Sequence, residues 1–330
     1  MRKMYVLAIV SLLVFSCSNE KKEVEPNVTP VTETIDLEEL FKISMQLHDS
    51  SDYDSALVIC QNILEVDSQN FDAKLLEGDI MWALRNLEAS LSAYTTCLRW
   101  QDHNPKVWTR LGKVFLEKND QVSAIKYFNQ AVNLDPSNGD GYIGRAIVFA
   151  KKEQWDQAYL SLQTALDFNP DNQKAALKLA QWKADEALYG EEMNEAMIAK
   201  KMAFQYFQVA LNIDSSDAHV SYLKGAAHAN FLEFDQADTD FKRAISLDKT
   251  NTEYHFNLAY LYFRQEKFEK AIVEYNYCLS KNQKDTDALY GIALCAIDQG
   301  NKEKAIETLK KVLEINPEDE DAQLELGKLQ

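Results

Sequence analysis

The sequence predicts an all-α protein, a solenoid of eight helix-turn-helix repeats that ends in a short capping helix. The first observation is a scarcity of turn residues: the 330 residues include 10 Gly and 6 Pro, where average usage would give roughly 40 in total. The second is a 34-residue period that repeats small residues at fixed positions. The third is the 46% apolar content, which is enough to bury a core.

The first sixteen residues have the organisation of an export signal. Arg2 and Lys3 are basic, and residues 4–15 form an apolar run of twelve. A membrane-spanning helix needs about 20 apolar residues, so a shorter run behind a basic start is typical of a secretory signal peptide. The sequence therefore predicts a signal peptide over residues 1–16.

Cys17 ends the sequence Val14-Phe15-Ser16-Cys17. This sequence resembles the lipobox of bacterial lipoproteins, although Phe15 is bulkier than the residue usual at that place. The resemblance implies that Cys17 is the lipidation site, acylated with palmitate or similar chains. More than one acyl chain gives stable anchoring, so the mature protein is expected to bind the membrane through Cys17. The alternative is an ordinary signal peptide with a chance cysteine.

The residues after the cysteine suggest a location. Ser18 in place of Asp implies, by the enterobacterial sorting rule, the outer membrane of a Gram-negative bacterium, on its periplasmic or cell-surface face. The charged residues 18–23 also resemble the export tags of surface lipoproteins in the Bacteroidetes. Residues 17–36 contain Pro26 and Pro30 and lack a helical period, which predicts a flexible tether after the lipidated cysteine.

Residues 37–330 carry the repeats. The segment 105–138 has characteristic residues at positions 4, 7, 8, 11, 20, 24, 27 and 32, namely Trp108, Leu111, Gly112, Phe115, Ala124, Phe128, Ala131 and Pro136. This pattern resembles the tetratricopeptide repeat (TPR), in which each repeat is a pair of helices, A and B. The same phase starts repeats at 37, 71, 105, 139, 173, 218, 252 and 286, and a capping helix at 320–330.

Side-chain size explains the pattern. Position 20 is Ala in seven of the eight repeats, and position 8 is small in all of them. Small residues there allow helices A and B to approach closely, while large ones such as Phe115 and Phe128 fill the space beside them. Each repeat of a solenoid buries its core against its neighbours, so the expected solenoid grows in length without a second domain.

The fifth repeat is 45 residues long, eleven more than the period. Eleven residues make about three helical turns. Gly190 is predicted to end helix A, which leaves residues 191–213 as a long helix B with Met193, Met197 and Ile198 on the added part. Two interpretations stay open: a tolerated extension, or a protruding ledge for a partner.

The sequence predicts no catalytic residues, no metal site and no cofactor. The five His form no HxxxH pair, and the five Cys lack the paired spacing of zinc or redox motifs. We therefore expect structural roles for Cys60, Cys97, Cys278 and Cys295, and likewise for His228 and His255. With 35 basic against 52 acidic residues, the chain is not expected to bind nucleic acid.

One face of helix A is the remaining candidate for a site. Positions 2, 5, 9, 12 and 13 share that face, and in the TPR family it usually holds a peptide. In repeats six to eight it carries aromatic and Arg side chains, the types that dominate interfaces. The predicted partner-binding groove consists of Tyr222, Asn230, Phe256, Tyr260, Phe263, Arg264, Tyr290 and Leu294. Alternatively, these side chains pad the inner wall.

These features together predict a lipid-anchored scaffold or adaptor for protein–protein interactions in the bacterial envelope, and not an enzyme. Its expected partner is a protein or peptide held in the groove. The alternative is a surface-exposed receptor for a glycan or another small ligand in a nutrient-uptake system, with the aromatic side chains stacking on sugars.

Overall fold

The structure, a computed structural model, describes residues 36–330, which form 17 α-helices and no strand. The predicted signal peptide, the lipidation site Cys17 and most of the tether lie outside the described residues. None of the helices in residues 36–330 combines the length and the hydropathy that a bilayer-spanning segment requires. The prediction of an all-α fold is confirmed.

Contacts divide the chain into two compact units, one ending at Lys151 and the other spanning Lys152–Gln330. In the first unit, neighbouring helices of a repeat pack as hairpins, and consecutive hairpins pack on each other. Its helices are α1 (Leu37–Asp49), α2 (Tyr53–Val66), α3 (Phe71–Ala83), α4 (Leu87–Trp100), α5 (Pro105–Glu117), α6 (Gln121–Leu134) and α7 (Gly139–Lys151). That the two units continue one solenoid stays a prediction.

The second unit repeats the same arrangement. Its helices are α8 (Trp155–Phe168), α9 (Gln173–Tyr189), α10 (Met193–Ile213), α11 (Ala218–Asn230), α12 (Phe234–Leu247), α13 (Thr252–Arg264), α14 (Phe268–Lys281), α15 (Thr286–Asp298), α16 (Lys302–Ile315) and α17 (Glu320–Leu329). The odd-numbered helices of both units begin at the residues where the period starts its repeats. Asn and Asp side chains cap most of these starts, as Asn104 Oδ1 does by accepting from the Lys106 amide at 3.0 Å.

Small residues hold the hairpins together. The residue at position 20 is fully buried in every repeat, including Ser90, the one exception to Ala. The aromatic ring at position 24 lies against the glycine at position 8 of its own repeat in three hairpins: Tyr94 on Gly78, Phe128 on Gly112 and Phe241 on Gly225. The glycines leave the space that each ring occupies.

The turns between helices A and B share one backbone feature. Among the described residues, seven have a positive φ between 58° and 72°, and each lies in such a turn: Ser51, Arg85, Asn119, Glu153, Leu232, Glu266 and Gly300. Gly300 alone is a glycine, so the other six adopt a conformation that L side chains rarely take. The fifth repeat is the one full repeat without such a residue.

The extension of the fifth repeat is shared between its helices. Helix α9 has 17 residues where α7 has 13, and α10 has 21 where α8 has 14. Gly190 ends α9 as the sequence predicts, but its φ of −69° is open to any residue. Helix α10 begins at Met193 rather than Glu191, because residues 190–192 form the connection. One added turn therefore belongs to helix A and two belong to helix B.

Candidate functional site

The predicted groove residues lie on three helices of the second unit. Tyr222 and Asn230 lie on α11, Tyr290 and Leu294 on α15, and the remaining four on α13. Helix α13 contacts both α11 and α15. The A helices of successive repeats are therefore neighbours, and α13 occupies the middle of the candidate site.

Several of these side chains belong to the hydrophobic core. Tyr222 is half-buried and stacks on Tyr254 with ring centroids 5.0 Å apart, and its hydroxyl donates to Glu253 Oε1 at 2.9 Å. Burial, followed by the bond to Glu253, raises the pKa of Tyr222. Phe256 packs edge-on against Tyr275 at 5.4 Å. Tyr222 and Phe256 therefore fit the alternative interpretation, in which these side chains pad the inner wall of the repeats.

A smaller group on α13 faces solvent. Tyr260 is 49% exposed, and its ring lies nearly parallel to that of Phe263 at 6.4 Å. Arg264 is also exposed, and its guanidinium lies 5.5 Å from the ring centre of Phe234. Phe263 is half-buried and packs against Phe268. An exposed phenol beside a guanidinium can contact apolar and anionic groups of the same ligand.

The other predicted residues lie apart from this group. Asn230 is exposed at the end of α11, whereas Leu294 is half-buried on α15. Tyr290 packs in a different cluster, with Leu289 and Leu326. Burial raises the pKa of Tyr290, and the charges of Asp321 and Glu325 raise it further. The structure thus brings together Tyr260, Phe263 and Arg264, while Tyr290 lies near the acidic start of α17.

The first unit contains an open cleft of about 310 Å³. Its lining includes basic and polar side chains, among them Lys106, Thr109, Arg110, Lys113 and Asn138. Two of its cations are already paired: Lys113 binds Asp140 at 2.9 Å, and Arg110 binds Asp79 through two hydrogen bonds of 2.5 and 2.6 Å. The positive charges of Lys113 and Arg110 are therefore already paired with carboxylates of the protein itself.

The bond between Arg110 and Asp79 was not predicted from the sequence. Burial alone would lower the pKa of Arg110, but the hydrogen bonds and charge of Asp79 raise it. Tyr94 also donates its hydroxyl to Asp79 at 2.6 Å. Asp79 and Arg110 stand at positions 9 and 6 of successive repeats, and this spacing of opposite charges was the signal that could have found the pair.

The two histidines with packing roles contact carboxylates. His228 Nδ1 lies 2.8 Å from Asp240, and the His228 ring stacks on Phe204 at 4.2 Å. His255 Nδ1 lies 2.7 Å from Glu274, although its buried Nε2 has no hydrogen-bond partner. Both side chains lie within the packing of the repeats, which agrees with structural roles.

The described cysteines are buried free thiols: Cys60, Cys97, Cys278 and Cys295. Burial raises the pKa of Cys278 and Cys295 to about 11 and that of Cys97 to about 12. Such thiols are poor nucleophiles and poor metal ligands, because both reactions need the thiolate. No group of three potential ligands for a metal ion occurs within residues 36–330.

Comparison with known families supports the repeat assignment. Three tetratricopeptide repeat models match residues 105–138, 241–273 and 263–329. These matches confirm that the chain carries TPR repeats. TPR folds bind protein partners, and the fold is typical of non-catalytic scaffolds.

Two longer proteins are similar to this chain over part of their length. Superkiller protein 3 of Schizosaccharomyces pombe is 28% identical over 175 residues, 53% of this chain and 12% of that protein. Anaphase-promoting complex subunit CDC16 of Saccharomyces cerevisiae is 24% identical over 220 residues, 64% of this chain and 24% of that protein. This chain thus spans a quarter or less of the length of either relative.

Solved structures agree on the fold. The crystal structure of the APC/C hetero-tetramer Cut9-Hcn1 matches with a TM-score of 0.55 and 22% identity, over 88% of this chain and 55% of that chain. At this identity the likeness shows the fold alone. It confirms an all-α TPR fold for the described residues.

Proposed function

We propose that this protein is a lipid-anchored TPR scaffold in the bacterial envelope, which holds a partner peptide or helix against α13. The observation that carries the proposal is the exposed pair of Tyr260 and Arg264 on the face of a TPR helix A. TPR repeats in subunits of multiprotein assemblies, such as the relative named as an anaphase-promoting complex subunit, support a scaffold role.

The geometry of α13 suits a peptide ligand. Tyr260 presents a rigid aromatic surface that loses little conformational entropy on binding. Arg264 lies one turn further along the same helix, where its guanidinium can pair with a carboxylate of the partner. The Tyr260 ring lies beside the half-buried Phe263, and the Arg264 guanidinium lies over Phe234, so both side chains have a packing partner before a ligand binds.

Substitution of the exposed pair tests this surface. We expect Tyr260→Ala with Arg264→Ala to abolish recovery of a stoichiometric protein partner from envelope extracts, while the helical circular dichroism stays unchanged. Val273→Ala is the matched control, because Val273 is 65% exposed on α14. Equal partner recovery by the pair variant and the control would show that the groove assignment is wrong. Phe263 is left intact because its loss would open the core.

The anchor is tested separately. Cys17→Ala is expected to release the protein from membranes and to remove incorporation of labelled palmitate. Ser18→Ala is the control, since it changes the neighbouring residue and leaves the acylated sulfur. Unchanged membrane association of Cys17→Ala would reject lipidation, and with it the anchored part of the proposal.

The second candidate is a surface receptor for a glycan. The exposed ring of Tyr260 favours it, because exposed aromatic rings can stack on sugars. Saturable saccharide binding that is lost in Tyr260→Ala, together with failure to recover any protein partner, would support the receptor over the scaffold.

A further inference from the structure

The fifth repeat projects beyond its neighbour. We call residues 186–199 the repeat-five tip; it contains the last turn of α9, the connection and the first two turns of α10. Lys200, just after the tip, bonds Glu233 at 2.7 Å and lies 4.6 Å over the ring of Phe231. Phe231 and Glu233 form the turn between α11 and α12. The residues of α10 before Lys200 therefore extend past that turn by about 10 Å at 1.5 Å per residue.

Large apolar side chains of the tip face solvent. The exposed fractions are 82% for Tyr189, 79% for Met193, 66% for Met197 and 61% for Ile198. Met193 and Met197 are one turn apart on the same side of α10. Single exposed apolar residues are common, but four within fourteen residues are a concentration that is typical of interaction surfaces. Ala199 is buried, so the tip is attached to the core of its repeat.

The charge of the tip has one sign. It contains four Glu and no Lys or Arg. Glu186 pairs with Lys183 at 2.7 Å. Glu191, Glu192 and Glu195 are exposed and make no ion pair within the described residues. Carboxylates near the N-terminus of α10 interact favourably with the helix dipole. This interaction explains why the residues there are acidic, but it does not explain the exposed methionines beside them.

We propose that the repeat-five tip is a second docking surface, separate from α13, for a basic amphipathic helix of a partner protein. Methionine side chains are flexible and polarizable, so Met193 and Met197 can adapt to the apolar face of such a helix. The three free carboxylates then pair with the Lys or Arg side chains that flank that face. The added turns of repeat five would thus serve binding rather than merely be tolerated.

The charge also argues against two other occupants. A second copy of this chain would bring the same acidic tip opposite this one, and like charges repel. A membrane with anionic lipids would repel the tip for the same reason, since lipid surfaces attract basic segments. A cationic helix is the occupant whose charge and apolar face both match.

The test uses the full-length chain and a synthetic amphipathic helix of Leu and Lys. With ¹³C-methyl-methionine labelling, we expect the methyl signals of Met193 and Met197 to shift on addition of the peptide, while those of Met45 and Met81 stay in place. Met193→Ser with Met197→Ser should weaken binding at least about tenfold, since the variant loses the apolar side chains that the peptide helix would cover.

The controls separate apolar contact from charge. Val273→Ser removes an equally exposed apolar residue elsewhere and should leave affinity unchanged. Glu191→Gln, Glu192→Gln and Glu195→Gln together should weaken binding and reduce its dependence on salt. Tyr260→Ala with Arg264→Ala should bind the peptide normally, so that failure of this proposal is distinguishable from failure of the α13 groove.

Three results would overturn the proposal. One is equal affinity of the Val273→Ser and methionine variants for the Leu/Lys helix. Another is comparable binding of a Leu/Glu helix, which would show that charge does not select the ligand. The third is binding to phosphatidylglycerol vesicles that the methionine substitutions abolish, since that would assign the tip to a lipid surface.

Discussion

The ring of Phe128 lies so close to Gly112 that a Cβ atom on the glycine would come within 2.6 Å of the ring's Cε1 atom. The same ring also lies against Gly144 of the following repeat. Phe128 is fully buried, and its contacts with these two glycines link helix A of its own repeat to helix A of the next. Tyr275 repeats part of this arrangement by lying against Gly291. Stability of the hairpins therefore depends on glycines that are inside helices.

Gly112→Ala is expected to destabilise the protein. The added methyl group cannot displace the Phe128 ring, because Gly144 limits its movement from the other side. Overpacking of this kind costs about 1–3 kcal/mol, more than the gain of about 1 kcal/mol in helix propensity. Thermal unfolding followed by circular dichroism measures the change. Gly327→Ala is the control, because a Cβ there would meet no atom within 4 Å apart from the adjoining backbone of its own helix. An equal loss in both variants would contradict the prediction.

Leu232→Gly is expected to stabilise the protein. Leu232 has a φ of 61° in the turn between α11 and α12, and its side chain is 60% exposed. Glycine adopts the left-handed conformation without steric strain, which adds roughly 1–2 kcal/mol to the free energy of unfolding. The greater entropy of Gly in the unfolded chain offsets about half of this gain. The unfolding midpoint should rise, and more than in Asn119→Gly, since Asn tolerates a positive φ. A lower midpoint in Leu232→Gly would refute this account.

Asp79→Asn is expected to destabilise the first unit. The change removes the negative charge that pairs with Arg110, whose side chain is 30% exposed. Loss of one partner from such a partly buried pair costs about 2 kcal/mol, less than in a fully buried one. Denaturant unfolding measures the loss. Glu38→Gln is the control, because it breaks the exposed Glu38–Lys42 pair, which water and salt screen. Similar effects of the two changes would exclude a special role for Asp79.

Stability is expected to fall at alkaline pH. Burial raises the pKa of the thiols of Cys278 and Cys295 from 9.0 to about 11, and that of the Tyr94 hydroxyl above its usual 10.0. The unfolded chain ionises first, so the stabilisation is complete below about pH 9 and is lost as the pH rises toward the folded values. The unfolding midpoint should be constant near pH 8 and decline above about pH 9.

A variant isolates one group in this decline. Cys295→Ala removes a titrating thiol and should make the decline shallower, although it also lowers the midpoint at neutral pH by opening a small cavity. A midpoint that does not change between about pH 8 and 11 would disprove the proposed link to buried thiols and phenols.

Much of the fold follows from local patterns. The period predicts where each helix A begins, and the small residues at positions 8 and 20 predict which sides of helices A and B meet, because this close packing acts within one hairpin. The groove was predicted less completely. The period places Tyr222, Phe256 and Tyr260 on one face of helix A, but it does not say how far the neighbouring repeat covers that face.

The sequence by itself determined the repeat, its helical phase and the acidic charge, because these depend on residue type and spacing alone. Only the tertiary structure decided that Asp79 pairs with Arg110, that Tyr260 stays exposed while Phe256 is half-buried, and that both helices of repeat five are extended. These outcomes depend on which side chain of one helix meets which side chain of the next. A 34-residue period describes what the repeats share and carries no information about such differences.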